Sequence, residues 1–100
     1  MEKDIMIIQG QEMKIINLNL SIDGYEATLT IKALVNKKNV CVVFHNVSNL
    51  TIDELSMPFQ ITGFQILDNK NKGWDKSIRY TVLDFEQDNI RFYCECYEIV

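Results

Sequence analysis

No cluster of lysine or arginine in this chain is larger than the pair Lys37-Lys38. Proteins that grip nucleic acid neutralise rows of phosphates, so a net charge of −4 without a basic stripe argues against that class of ligand. Long apolar runs are also missing. The run Ile5 to Ile8 is too short for a membrane span or a signal-peptide core, and Glu2 and Asp4 stand where a signal peptide carries positive charge. Cytoplasmic residence, away from membranes, is the expectation. The three cysteines, Cys41, Cys94 and Cys96, are odd in number, and two of them are separated by a single residue. That is a poor framework for disulfides and points to reduced, mostly buried thiols. Histidine occurs once, at His45, and no Gly-rich phosphate or oxyanion loop accompanies it. Low-complexity segments and internal repeats are absent, and no helical period lasts three turns.

The period that does persist is two. Ile16, Leu18, Leu20 and Ile22 alternate with polar residues, Asp23-Gly24 supplies a turn, and Tyr25, Ala27, Leu29, Ile31, Ala33 and Val35 alternate again. Thr28, Thr30 and Lys32 fill the opposite, wet face of this hairpin. After the polar turn at residues 36–39, the run Val40 to Phe44 reads as a strand covered on both faces. Thr51 and Glu54 have the spacing of a capping box, so one helical turn is expected over 51–57, stopped by Pro58. Phe59 to Leu67 reads as a strand interrupted at Gly63, and Ser77 to Glu86 and Ile90 to Ile99 as a final hairpin. The expected fold is all-β: a single domain over residues 1–100, an antiparallel sandwich or partly open barrel of about seven strands. A two-residue turn in the last hairpin would set Phe85 opposite Phe92, Glu86 opposite Arg91 and Arg79 opposite Glu98. A four-residue turn would instead set Asp84 opposite Arg91.

Few residues have the spacing that chemistry requires. Asp68 and Gly73 resemble the start of a calcium loop, but Lys70 and Lys72 occupy ligand positions and Arg79 replaces the bidentate glutamate. Asp84, Glu86 and Asp88 read as solvated charges beside a turn. Cys94 and Cys96 share one strand face without the spacing of a structural zinc site, so neither metal nor cofactor is expected. Cys41 and His45 lie on one face four residues apart, which is ~13 Å in an extended strand and beyond hydrogen-bond reach. A catalytic role is therefore not expected; a pairing of His45 with Cys94 or Cys96 across strands is the one arrangement left open.

The face of the last hairpin carrying Tyr80 and Asp84 beside Tyr93, Glu95 and Tyr97, with Trp74 at its rim, is the candidate binding surface. Tyrosine and tryptophan supply rigid contact area, and carboxylates steer a basic partner. The leading reading is a non-enzymatic protein-binding module that meets a basic protein surface. A carbohydrate-binding module using the same aromatics is the alternative, and homodimerisation through that face or through an edge strand would also occupy it. Thr81, Leu83, Phe85, Ile90, Phe92, Cys94 and Cys96 form the expected core face.

Over roughly residues 40–100 the chain resembles YxiG-like small bacterial proteins. The resemblance lies in Ile61-Thr62-Gly63-Phe64, Ile66-Leu67-Asp68, Gly73-Trp74, Arg79-Tyr80, Val82, Asp84, Glu86, Ile90, Phe92-Tyr93-Cys94 and Glu98. It implies a single-domain cytoplasmic protein of Firmicutes. Because some such proteins are encoded near secreted toxins, it also implies an immunity role with a toxin as the protein partner.

Overall fold

The computed structural model describes residues 12–52, 60–61, 63–69, 78–84 and 90–100. Its strands are β1 (Met13–Asp23), β2 (Glu26–Val35), β3 (Lys38–His45), β4 (Ser48–Ile52), β5 (Gln60–Ile61), β6 (Phe64–Asp68), β7 (Tyr80–Asp84), β8 (Ile90–Cys94) and β9 (Cys96–Ile99). They form two antiparallel sheets, in the orders β5-β1-β2-β3-β9 and β4-β8-β7-β6. The fold is all-β. Among the described residues no helix is long and apolar enough to cross a membrane.

Three bent strands join the sheets. The register that pairs Val42 with Ile99 and His45 with Cys96 continues unchanged to Ser48 opposite Tyr93, so β3–β4 and β9–β8 are one antiparallel ladder folded at a corner. Hydrogen bonds across the corner hold it: the Glu95 N–H donates to the His45 carbonyl (3.0 Å) and the Val47 N–H to the Ala27 carbonyl (2.8 Å). The third bend is buried Gly63, between β5, which pairs with β1, and β6, which pairs with β7. Following these pairings returns to β1, and among the described residues only Met13↔Ile61 and Lys14↔Gln60 close the ring. The result is a partly open barrel.

Tight turns set the first two hairpins. Gly24 has φ 62 and fills the first central position between Asp23 and Glu26, where a type II′ turn requires a left-handed residue. Asn36 and Lys37, with φ 53 and 66, are both left-handed between Val35 and Lys38, the type I′ pattern. Leu29, Ile31, Ala33 and Val35 all point inward and are buried, as the alternation predicts. They meet Val42, Phe44, Phe64, Val82, Ile90 and Phe92 in a single core. Phe44 lies at its centre, edge-on to Phe92 at 4.9 Å and tilted toward Phe64 at 6.5 Å.

Several expectations need correction. Ile16 is not part of the inward row: the β1–β2 register slips between Ile15 and Asn17, leaving Ile16 as an exposed bulge residue. One extra residue reverses which face the following side chains take. Thus Met13 and Ile15 point inward before the bulge, and Leu18, Leu20 and Ile22 share a face with Ile31, Leu29 and Ala27 after it. The strand from Val40 to Phe44 is covered fully on one side only, since Cys41 and Val43 are half-buried. Thr51 is in strand β4 rather than a helix cap, and the remainder of the expected helical turn, residues 53–59, lies outside the described residues. Nor is Ile90 to Ile99 a single strand of one sheet, because it breaks at Glu95.

Candidate functional site

The last hairpin shows the largest difference from the sequence reading. Val82 faces Phe92 and Leu83 faces Arg91, so neither Phe85–Phe92 nor Asp84–Arg91 is the register. Strand β7 ends at Asp84 and β8 begins at Ile90. An odd number of residues separates them, whereas both turns expected from the sequence were even, and this reverses the face of β8 relative to β7. Glu86 and Phe85 lie outside the described residues. Arg79 pairs with Asp68, not Glu98: its Nε and a terminal nitrogen donate to the two carboxylate oxygens at 2.8 and 3.2 Å. The reason is topological. Strand β9 has left this sheet for the other, where Glu98 accepts from or pairs with His45 Nε2 at 3.2 Å.

The expected tyrosine face is therefore divided. Tyr80 is half-buried on the inner side and meets Tyr97 edge-on, with ring centres 5.1 Å apart. Both rings rest on the core, Tyr97 against Phe44 at 6.2 Å. Tyr93 points to the opposite side of its sheet, beside Thr81. Asp84 is completely buried, so it cannot touch a partner. Trp74 lies outside the described residues. No flat aromatic platform is formed by the described tyrosines, which disfavours the carbohydrate reading.

What does converge is charge. The β1–β2 turn and the β3–β4 and β8–β9 corners frame a cleft of about 720 Å³, lined by Asp23, Tyr25, Glu26, His45, Glu95 and Cys96, with Asn46 at its wall. Asn46 adopts φ 56, and its side-chain amide donates to the Glu95 carboxylate at 3.1 Å. This bond fixes Glu95 at the bend. Asp23 and Glu26 are paired opposite each other at the strand ends, and among the described residues neither forms an ion pair with lysine or arginine. Tyr25 is wholly exposed beside them. The sequence contained the signal for this site in the acids flanking a Gly turn. It could not show that the turn would fold beside Glu95, seventy residues later.

The thiols behave as this environment dictates. Cys94 is buried between the sheets, and burial, followed by the neighbouring Cys96, pushes its thiol up to about 12. Cys96 is exposed on the other side of the corner, against the expectation that both thiols share a core face. Partial burial first, then Glu95, Glu26 and Glu98, push the Cys96 thiol above its ordinary value. Three acids thus act on one spot. His45 is directly opposite Cys96 in the ladder, but a thiol raised by burial and then by acids is a weak nucleophile. Among the described residues no three His, Cys, Asp or Glu side chains gather as a metal site would need.

No curated protein and no solved structure matches the chain. A family model does match it over residues 3–100, and its description differs from that of the YxiG-like proteins. The match runs nearly end to end, so the chain belongs to the family described as Immunity protein PIM8.

Proposed function

We propose that the chain protects by binding, without catalysis, and that the acidic cleft beside the Gly24 turn meets a basic surface on a toxin. The observation that carries this reading is the convergence of Asp23, Glu26 and Glu95 around a fully exposed Tyr25. Tyrosine can anchor by filling a pocket on the partner, and the Asp23 and Glu26 carboxylates, which among the described residues pair with no lysine or arginine, speed encounter with an oppositely charged surface. The raised thiols support a non-enzymatic role, since they remove the reactive cysteine that a His45-assisted mechanism would use. Of the residues expected from the sequence, Glu95 belongs to this surface. Tyr93, Tyr80 and Tyr97 stand elsewhere in the fold. Cytoplasmic residence is part of the same proposal.

The test begins with the partner captured from the native cell and identified against the products of neighbouring genes. Binding of the purified pair is then measured for Asp23→Lys/Glu26→Lys and for Tyr25→Ala. The charge reversal is expected to slow association by about tenfold or more at low salt, with the difference shrinking as salt rises. Tyr25→Ala is expected to speed dissociation instead. If both variants keep their circular dichroism spectra and bind with unchanged rates, the cleft is not the contact surface.

A further inference from the structure

Natural sheets protect their edges with charges, prolines or cover, because an open edge offers unpaired backbone groups to any passing strand. Among the described residues, nothing of this kind protects β1 beyond its first residues. Among the described residues its outer edge pairs only at Met13 and Lys14, and no charged residue or proline occurs from Ile15 to Ile22. The inward-facing row on this edge is also uncovered at one end: Leu20 is 45% exposed and Ile22 71%. These two share a face with the buried Leu29 and the half-buried Ala27, so their exposure is not a matter of pointing outward.

The open segment has defined limits. It begins after the bulge at Ile16 and stops at the Gly24 turn, leaving Asn17 to Asp23, whose central residue is Leu20. We propose that this edge pairs with the same edge of a second copy, antiparallel across a two-fold axis at Leu20. The sequence of the segment is self-complementary about that point. Leu20 meets its own copy, Leu18 meets Ile22, Asn19 meets Ser21, and Asn17 meets Asp23. Apolar residues oppose apolar ones on one face, polar residues oppose polar ones on the other, and no like charges face each other. An isologous contact of this kind closes at two subunits. Its register is fixed at both ends, by the bulge in one copy and the turn in the other. The pairing uses the edge and inner face of β1. It shares only Asp23, at its end, with the acidic cleft, and the Leu20 variants that test the dimer leave the cleft residues unchanged.

Such a contact is small by the standards of stable interfaces, so the dimer is expected to dissociate in the micromolar range. Sedimentation velocity on the full chain from about 1 to 200 µM should show a monomer–dimer equilibrium. Leu20→Lys should leave a monomer at every concentration. A second measurement does not depend on that variant folding well: in a Cys96→Ser background, oxidised Leu20→Cys should crosslink to itself, whereas Asn17→Cys, which faces position 23, should not. A chain that stays monomeric at about 200 µM overturns the proposal. So does equal crosslinking at positions 17 and 20. Protection of the β1 amides from hydrogen exchange only when a different protein is added would also overturn it, assigning the edge to that partner's strand.

Discussion

Asn69 closes the loop end of the β6–β7 hairpin, and replacing it with alanine tests how much this closure stabilises the fold. The side chain is 2% exposed, and its amide donates to Thr81 Oγ1 at 2.7 Å and to the Ile78 carbonyl at 3.0 Å. Each bond contributes about 1 kcal/mol net, and a buried acceptor left unsatisfied costs about 1–3 kcal/mol more. The Ile78 carbonyl is only partly buried and can recruit water, while the Thr81 hydroxyl is buried. Asn69→Ala should therefore destabilise by about 2–3 kcal/mol, a large fraction of the ~5–15 kcal/mol typical of a domain. The midpoint of thermal unfolding should fall by about 10–20 °C. The backbone bond from Asn69 N–H to the Arg79 carbonyl (2.7 Å) survives in alanine, so the hairpin should weaken without losing its register. Urea unfolding followed by circular dichroism gives the free energy. Asn69→Asp is the sharper control at pH 7, because a carboxylate keeps the size yet cannot donate to either acceptor, and it should be at least as damaging. A loss below about 0.5 kcal/mol for Asn69→Ala, or an Asn69→Asp variant as stable as the parent, would refute the reasoning.

Two further outcomes follow from backbone strain and burial. Lys37 holds φ 66 at an exposed turn position, where a side chain costs about 1–2 kcal/mol, so Lys37→Gly should stabilise by about 0.5–1 kcal/mol after glycine's own entropy loss, read from the urea midpoint. Cys94 keeps its proton in the fold up to about 12, while the unfolded thiol releases its proton near 9. The unfolded chain therefore binds fewer protons between those values, and stability that is complete below about pH 9 should fall as pH rises toward 12. Tyrosines ionise in the same range, so the measurement is the difference between the parent and Cys94→Ala, whose alkaline decline should be shallower; parallel curves would show that the thiol contributes nothing.

The sequence conveyed the fold class because alternation is set locally: Leu29, Ile31, Ala33 and Val35 fill one face of β2, and the lysine and threonines take the other. The turns at Gly24 and Asn36-Lys37 were legible for the same reason, since left-handed positions favour particular residues. Non-local geometry was not legible. Nothing in Ile90 to Ile99 marks Glu95 as a corner, because the bend depends on the His45 carbonyl and the Asn46 side chain that meet it from another strand. The separation of Cys94 from Cys96, and of Tyr93 from Tyr80, follows from that bend and from the odd spacing between β7 and β8.

These departures arise where regular pairing is interrupted or folded, and that bears on function. A period of two survives only while every strand keeps its count against its neighbour, and a single extra residue reverses each face beyond it. The chain breaks the count at Ile16 and at left-handed Asn49, where the β4–β8 register shifts, and at Glu95 it keeps the count but folds the ladder at a corner. Two of these places border the surfaces proposed to bind. The corner at Glu95 turns its carboxylate toward Asp23 and Glu26, and the bulge at Ile16 limits the open edge centred on Leu20. Regular alternation places side chains either in the core or in water. A corner can bring acids from two distant segments together at one end of a barrel, and this is how a chain of ordinary net charge comes to concentrate its acids at the place proposed to meet a basic partner.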